Sequence, residues 1–221
     1  LSHWDGQIER GSFVETALDA LHLFTSGFEL YSNEEIPQTG PLLAVVNHPG
    51  MYDSIGAIVA VGREDVRVVA GHREFFRVLP HINHHLLIIE TDVSLHLEAM
   101  RHIIQSLKDG QAVIIFPSGG LEPEPALMPG ATAALNEWSA SVGIFLSKVP
   151  ETRLLPMLIS QTLSSKAWHS WLASLPRTQK RQHQAAMGWQ FLKQRTSKDP
   201  AWRLPLRIDT GGIKTATELD P

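Results

Sequence analysis

A histidine and an aspartate five positions apart, His48 and Asp53, lie in the segment 47–53, which reads NHPGMYD. The proline and glycine between them let the chain fold back, so that the Asp53 carboxylate can accept a hydrogen bond from one imidazole nitrogen. Such a bond holds the tautomer and stabilises the imidazolium that forms when the other nitrogen removes a proton from a hydroxyl. The pair therefore predicts general-base chemistry. A hydrogen-bonded core histidine is the alternative explanation of the same spacing.

A second segment suited to chemistry is 116–120, which reads FPSGG. Pro117 ends an apolar run, and the adjacent Gly119 and Gly120 allow backbone N–H groups to approach a ligand closely. An oxyanion hole or a phosphate-binding nest is the functional interpretation, and an ordinary turn is the alternative. Ser118 is also a candidate hydrolase nucleophile with His48 as its base, although the G-x-S-x-G elbow is absent.

Composition argues against metal and thiol chemistry. The chain contains no cysteine, which excludes thiol nucleophiles, disulfides and thiolate metal sites. His81, His84 and His85 are spaced so that two of them can share a helix face, but no H-E-x-x-H motif or carboxylate triad accompanies them. We therefore expect no metal site in this segment, whose histidines are expected to be solvated or to belong to a lid.

The elements that must position the two loops alternate between strands and helices. Apolar and β-branched runs predict strands at 28–31, 42–46, 66–70, 86–90, 112–116, 154–160 and 204–208. Helical periodicity and capping signals, among them Ser94 as an N-cap, predict helices at 12–25, 54–61, 94–109, 131–147, 167–175 and 182–195. This alternation indicates a single α/β domain with a mixed, mainly parallel sheet flanked by helices. Because ligands bind at the carboxyl ends of such strands, we expect the loops 47–53 and 116–121 to share a cleft.

The length and charge of the chain fit one globular domain. Its 221 residues, 43% hydrophobic and 19% charged, suffice for a substantial core. We assign residues 1–27 to an N-terminal amphipathic helix, which packs on the domain or lies on a membrane, and residues 28–221 to the α/β domain. The net charge is −10 up to Val149 and +6 from Pro150 onward. The densest basic run, 177–183, lacks the features of a nucleic-acid module, so a solvated helix face or a contact with a phosphate or lipid surface is expected.

Nothing in the sequence predicts a membrane-spanning helix. The longest weakly charged stretch, 36–52, contains three prolines and falls short of the roughly 20 continuous apolar residues that a span requires. No signal peptide is recognisable at the start, which predicts a cytoplasmic protein. An aromatic stripe beside the basic run is consistent with core packing or with a peripheral contact on the inner face of the membrane. Its members are Trp168, Trp171, Leu172 and Leu175.

Taken in order, these segments resemble the phospholipid and glycerol acyltransferase family, which includes the glycerol-3-phosphate and lysophosphatidate acyltransferases. NHPGMYD is similar to the family's N-H-x4-D block and FPSGG to its F-P-E-G-T block, with looser matches at 73–92 and 154–159. The resemblance covers about residues 28–160. It implies an O-acyltransferase that moves a fatty acyl group from acyl-CoA or an acyl carrier protein to a hydroxyl of a glycerolipid or related acceptor. The reaction would proceed without an acyl-enzyme and without a metal or other cofactor.

The resemblance also implies the roles of individual residues. His48 would be the general base and Asp53 its orienting partner. Oxyanion or substrate contacts are expected from Asn47, Ser118, Gly119 and Gly120.

Two departures from the family pattern concern the acceptor. Ser118 occupies the place of the family's glutamate in the third block, and the acidic segment 90–92 (ETD) occupies the place of a phosphate-binding arginine in the second. Acidic residues repel phosphate, so an acceptor with a neutral or cationic head group is expected unless Arg73 or Arg77 supplies the missing charge.

Two other functions remain consistent with these residues. One is a thioesterase or esterase that uses Ser118. The other is a non-catalytic lipid-binding member of the fold, which the altered third block motivates and the retention of His48 and Asp53 argues against.

Overall fold

The computed structural model describes residues 1–89 and 93–219, and for residues 93 and 94 the backbone alone. In this part the strands are β1 (Phe28–Tyr31), β2 (Leu42–Val46), β3 (Arg67–Gly71), β4 (Leu86–Ile89), β5 (Ala112–Ile115), β6 (Arg153–Ser160) and β7 (Leu206–Thr210). The helices are α1 (Ser2–Arg10), α2 (Phe13–Phe24), α3 (Asp53–Val61), α4 (Pro80–His84), α5 (Val93–Lys108), α6 (Ala131–Ala134), α7 (Ser141–Lys148), α8 (Ser165–Trp168), α9 (Trp171–Ser174), α10 (Gln179–Thr196) and α11 (Ala216–Leu219). Short 3₁₀ turns occupy Glu74–Val78, Leu135–Glu137 and Pro200–Trp202. The expected acidic segment 90–92 and the side chain of the expected helix cap Ser94 lie outside the described residues.

The seven strands described form one sheet in the order β1-β7-β6-β2-β5-β3-β4. The five strands from β6 to β4 are mutually parallel, β1 pairs with β7 in parallel, and β6 pairs with β7 antiparallel. The predicted α/β domain with a mixed, mainly parallel sheet is thereby confirmed. Since β2 and β5 are adjacent and parallel, the loops that follow them leave the same edge of the sheet.

Helices cover both faces of the sheet, because the side chains on both faces of its central strands are apolar. Alternate residues of β2 point to opposite faces, so Leu42, Ala44 and Val46 join one buried cluster while Leu43 and Val45 join another. The first cluster packs under α2 and α3, and the second packs under α5 and α7. A strand that is buried on both faces requires a continuous apolar run, which is what the sequence LLAVV supplies.

The N-terminal segment forms two helices, α1 and α2. The apolar stripe of α2 is buried in the first core cluster and consists of Phe13, Ala17, Leu21 and Phe24. Ser12 caps α2 by accepting the Glu15 N–H at 2.9 Å, and the Glu64 carboxylate accepts the Phe13 N–H at 2.8 Å. The start of this helix is therefore joined to the loop that follows α3.

The prediction of one long helix over 131–147 is wrong. The structure has α6, a 3₁₀ turn and α7 there, because Trp138 has an extended backbone with ψ 138°. The Ser139 N–H donates to Pro117 O at 3.1 Å, and the Trp138 indole N–H donates to Glu122 at 2.8 Å. Both partners belong to the segment after β5, so contacts distant in sequence outweigh the helical periodicity.

The helix expected over 167–175 is divided into α8 and α9. Ser170 N-caps α9 by accepting the Ala173 N–H at 3.3 Å, and its own hydroxyl donates to Ala167 O at 2.7 Å. A serine that bonds the backbone on both sides favours the end of one helix and the start of the next.

Candidate active site

His48 and Asp53 lie at the carboxyl end of β2, where the sequence places them. Asp53 is the first residue of α3, and His48 is the second residue after β2. The imidazole Nδ1 and the carboxylate Oδ2 are 2.8 Å apart. An ionised carboxylate only accepts hydrogen bonds, so Nδ1 carries the proton and Nε2 keeps its lone pair. The Asp53 side chain is 1% exposed and that of His48 is 36% exposed, so the pair has a buried and an accessible end.

The Asp53 carboxylate is held by two further donors. Oδ2 also accepts the Gly50 N–H at 2.9 Å, and Oδ1 accepts the Ser54 N–H at 2.6 Å. A negative charge in the first turn of α3 is favoured by the helix dipole. These contacts fix the carboxylate on the side of His48 that faces the protein.

The pKa of His48 reflects two opposing influences. Burial lowers it, but the hydrogen bond and charge of Asp53, with a smaller contribution from Glu122, outweigh burial and raise the pKa above its ordinary value. A raised pKa makes the imidazole a stronger base once it is deprotonated. Within residues 1–89 and 93–219, no group bonds Nε2. This nitrogen is thus available to a hydroxyl from outside the protein.

The loop between the two residues depends on Gly50. A Cβ on Gly50 would lie 2.6 Å from Thr162 Oγ1 and 2.7 Å from Thr162 Cβ, closer than real Cβ contacts. The same threonine hydroxyl donates to the Glu124 carboxylate and lies 3.2 Å from Pro49 O. Glu124 in turn accepts the Thr162 N–H at 2.9 Å and is fully buried. The loop after β6 therefore closes on the loop after β2 and leaves no room for a side chain.

The segment 116–120 lies beside His48, as the shared cleft requires. The Phe116 and His48 rings are 5.1 Å apart between centroids. Gly119 has φ +63°, and its N–H donates to Phe116 O at 3.0 Å. Ser118 Oγ donates to Gly120 O at 2.8 Å, and the Gly120 N–H is 3.4 Å from Ser118 Oγ. The Gly119 N–H is therefore occupied by the turn, and the Ser118 hydroxyl is bonded to the turn and not to His48.

Asn47 is placed as a link between strands. Its side-chain NH₂ donates to Ile159 O at 2.9 Å, and its carbonyl oxygen accepts the Ile159 N–H at 2.7 Å. The residue is 3% exposed. Because both polar atoms are used on β6, Asn47 extends the β2–β6 pairing to the start of the loop and does not face the cleft.

Arg73 and Arg77 lie after β3 at the same edge of the sheet and are exposed. Arg73 Nη1 donates to His72 O at 2.8 Å, and Arg77 Nη1 is 3.2 Å from Glu74 Oε2. These contacts are local to the 3₁₀ turn. Both arginines therefore lie at the carboxyl edge of the sheet, and among the described residues their guanidinium groups bond within their own segment.

The histidines of 81–85 have separate surroundings. The His85 ring stacks on Phe13 at 3.8 Å and its Nδ1 lies 3.0 Å from Val66 O, whereas His81 is 4.0 Å from Glu9. Burial lowers the pKa of His85. Across the described ranges, no three His, Asp or Glu side chains are grouped so as to hold a metal ion.

Glu122 is a residue near His48 that the sequence interpretation missed. Its Oε2 accepts the His48 N–H at 2.7 Å, its own N–H donates to His48 O at 2.8 Å, and its Oε1 accepts the Trp138 indole N–H. It is 5% exposed. The sequence signal is slight, since a glutamate between Leu121 and Pro123 in a loop suggests a solvated residue.

A buried polar face of α10 was also missed. His183, Gln190 and Gln194 are spaced seven and four apart, so they share one helix face. Gln194 accepts the Tyr52 hydroxyl at 2.6 Å, and Gln190 donates to Thr162 O at 2.9 Å. Burial raises the pKa of Tyr52 to about 12. Burial likewise lowers the pKa of His183 to about 4, and the His183 ring interacts with Pro49 O. The helix therefore supports the His48 loop from behind.

A cavity of about 450 Å³ opens beside residues 116–122 after β5, which we call the second loop. Ser118, Gly120 and Glu122 form one side, and Glu137 and Lys180 bring charges of opposite sign. Its link to the His48 loop is Glu122, which lines the cavity and bonds the His48 backbone.

Three comparisons with known proteins were made, of which the family model decides the family. A crystal structure of the 1-acyl-sn-glycerophosphate (LPA) acyltransferase PlsC from Thermotoga maritima has a TM-score of 0.49 and 15% sequence identity, covering 94% of this chain and 73% of that chain. No curated protein sequence matches the chain. The family model described as Acyltransferase matches residues 27–149, which include both loops around His48. Since this match extends over more than half of the chain, the protein belongs to the acyltransferase family.

Proposed function

We propose that the protein transfers a fatty acyl group from an acyl thioester to a hydroxyl of a glycerolipid or a related acceptor. The single observation that carries this proposal is the His48–Asp53 pair, in which Nδ1 and Oδ2 are 2.8 Å apart and the His48 side chain is 36% exposed. A general base of this kind fits a hydroxyl acceptor and contributes about 10²- to 10⁴-fold in rate. No metal or other cofactor is needed, because a thiolate is already a good leaving group.

In the proposed reaction, Nε2 of His48 removes the hydroxyl proton while the oxygen attacks the thioester carbonyl. The resulting imidazolium is stabilised by Asp53. The tetrahedral intermediate then breaks its C–S bond, and the thiolate takes the proton from the imidazolium. The proton therefore moves from acceptor to thiol, and both acyl-CoA and an acyl carrier protein satisfy this balance.

The oxyanion requires a donor from the second loop. The Gly119 N–H is used by Phe116 O, so Gly120 is the better candidate. Its N–H is 3.4 Å from Ser118 Oγ, a long contact that a rotation of the serine hydroxyl releases. Most substitutions of Gly120 keep its backbone N–H and so do not test the donor. Gly120→Pro removes this N–H and is the direct test.

Acceptor-dependent release of thiol from acyl-CoA tests the proposal. A mixture of palmitoyl-CoA and total lipid extract, followed by mass spectrometry of the products, identifies the acceptor, and His48→Ala is the matched inactive variant. Thiol release that needs no acceptor would instead indicate a thioesterase. Absence of turnover across acyl-CoA and acyl carrier protein donors would favour a lipid-binding protein.

We also propose that the protein contacts the cytoplasmic face of the membrane peripherally. In residues 1–89 and 93–219, no helix is long and apolar enough to span a bilayer. Trp171 and Leu175 are each 65% exposed, whereas Trp168 and Leu172 are partly buried. Exposed tryptophan and leucine next to cations are typical of a lipid interface.

The cations beside Trp171 and Leu175 support an anionic lipid surface. Arg177, Lys180 and Arg181 are exposed, and Lys180 also lines the cavity beside Ser118. A lipid acceptor bound at this surface would lie near the opening to the active site. Flotation with phosphatidylcholine vesicles, with and without phosphatidylglycerol, tests the contact.

The double variant Trp171→Ala/Leu175→Ser is expected to lose flotation with the anionic vesicles. Leu192→Ser is the matched control, because Leu192 is 53% exposed on α10 but lies twelve positions beyond Lys180. Equal flotation of both variants and the wild type would refute this surface.

A further inference from the structure

Glu122 holds both backbone polar groups of His48. Its carboxylate accepts the His48 N–H at 2.7 Å, and its own N–H donates to His48 O at 2.8 Å. One residue of the second loop therefore fixes the His48 peptide unit from two sides. A rotation or displacement of His48 would break a charge-assisted hydrogen bond and a backbone hydrogen bond together.

The Glu122 carboxylate is itself fixed in place. The residue is 5% exposed, and Oε1 accepts the Trp138 indole N–H at 2.8 Å. Trp138 packs against the core cluster under α5 and α7. If the carboxylate turned away, it would leave two N–H donors without partners in a nearly dry environment. The position of His48 is thus connected through Glu122 to the core on the far side of the sheet.

The charged surroundings show what Glu122 adds to proton transfer. Within the described part of the chain, the titratable groups that interact with His48 are Asp53 on α3, Glu122 on the second loop and His183 on α10. Glu137 and Lys180 line the same cavity as Glu122. Among the described residues, no lysine or arginine forms an ion pair with Glu122. Its negative charge therefore acts on His48 without direct neutralisation.

We propose that Glu122 is a positioning residue of the active site: it fixes the backbone of His48 against the second loop, and its carboxylate favours the imidazolium formed during acyl transfer. This inference rests on the proposed role of His48 as the base. Asp53 bonds the imidazole ring itself, whereas Glu122 bonds the His48 peptide unit. Glu122 therefore acts on His48 through the backbone and through the electrostatic field of its carboxylate, and it does not touch the substrate's reacting atoms.

The two parts of this role are separable by substitution. Glu122→Gln keeps the length of the side chain but removes its charge. Glu122→Asp keeps the charge but shortens the side chain by one methylene, so that it no longer reaches the His48 N–H. Trp138→Phe is the matched control, because it removes a contact of the same carboxylate and leaves both bonds to His48.

Two measurements need no substrate: an NMR titration of the His48 imidazole and hydrogen exchange of the His48 amide. In the wild type, the amide is expected to be protected although it lies in a loop. In Glu122→Gln, the imidazole should titrate at lower pH than in the wild type, whereas Trp138→Phe should not lower it. In Glu122→Asp, the amide should exchange about tenfold faster or more, because one hydrogen bond that protects it is lost.

Turnover provides a third readout. With the acceptor found for the wild type, Glu122→Gln is expected to lower kcat by about 10- to 100-fold, because a charge-assisted hydrogen bond is lost, and to move the acid limb of kcat/KM to lower pH. A role in stability alone would lower the melting temperature without moving that limb.

An unprotected His48 amide in the wild type would overturn the inference, and this measurement remains available if Glu122→Gln does not fold. An unchanged His48 titration in a folded Glu122→Gln variant would overturn its electrostatic part. A wild type that transfers no acyl group would refute the proposed function instead, because both NMR readouts are independent of turnover.

Discussion

Replacing Asp53 with asparagine removes the charge beside His48 and keeps the size of the side chain. Oδ2 accepts the His48 Nδ1–H at 2.8 Å and the Gly50 N–H at 2.9 Å, and Oδ1 accepts the Ser54 N–H at 2.6 Å. An amide oxygen in the place of Oδ2 preserves two of these bonds. The amide NH₂ then faces the Ser54 N–H, so one donor is unsatisfied at a cost of about 1–3 kcal/mol of unfolding free energy.

The catalytic cost of Asp53→Asn is expected to be larger. Burial lowers the pKa of His48, and without the Asp53 carboxylate this influence is no longer outweighed. The imidazole becomes a weaker base and its imidazolium loses its counter-charge. We expect kcat/KM at its plateau to fall by about 10²- to 10⁴-fold, or roughly 3–5 kcal/mol of transition-state stabilisation. The acid limb should move to lower pH, because His48 of the free enzyme stays deprotonated further into acid.

The measurement is kcat/KM for acceptor-dependent thiol release as a function of pH. Asp53→Ala is the comparison, since it leaves three donors without a carboxylate and should lower the melting temperature more than Asp53→Asn does. The reasoning is refuted if Asp53→Asn retains turnover within about threefold of the wild type, or if its acid limb does not move.

Three other predictions test the loop and its support. Because the pKa of His183 is lowered to about 4 in the buried site, its contribution to stability is full above pH 6.5 and is lost as the pH falls toward 4. Denaturation should show a loss of about 3 kcal/mol over this window in the wild type relative to His183→Asn. Gly50→Ala should cost roughly 1–3 kcal/mol of unfolding free energy and so lower the melting temperature, since its Cβ would meet Thr162 at 2.6 Å. It should also reduce turnover more than tenfold, which is more than about 1.4 kcal/mol of transition-state stabilisation; unchanged turnover would contradict this. Tyr52→Phe should cost about 1–3 kcal/mol of stability, because it leaves Gln194 Oε1 buried without its donor, with no shift in the pH profile.

The charges near the site do not determine which head group the acceptor carries. The cavity beside the second loop is lined by two carboxylates, those of Glu122 and Glu137, and by the ammonium group of Lys180. Arg73 and Arg77 bond within their own turn. The expectation of a neutral or cationic head group, unless an arginine supplies a positive charge, therefore stays a prediction for the product analysis.

Contacts between near neighbours in the chain follow from the sequence. Asp53 is five positions from His48, and a loop that contains Pro49 and Gly50 cannot separate them far, so their hydrogen bond is a local property. The continuous apolar runs at β2 and β5 likewise require burial on both faces, which only an internal strand covered by helices provides. Composition and spacing were sufficient for the α/β fold and for the neighbouring loops at its carboxyl edge.

Contacts between distant residues were decided by the tertiary structure. Glu122 meets His48 across 74 positions and Asn47 meets Ile159 across 112, and no local pattern marks either pair. The same holds for Trp138, whose bond to Glu122 interrupts a helix that the periodicity predicts.

What the sequence determined by itself was the succession of the seven strands along the chain and the His48–Asp53 pair within one loop, because both arise from residues a few positions apart. What only the tertiary structure decided was the environment of that pair: the hydrogen bonds of Glu122 to the His48 backbone, the bonded N–H of Gly119 and the buried polar face of α10. Satisfying a buried polar group is a condition on three-dimensional neighbours, and the chain can meet it with residues from any segment that packing brings near.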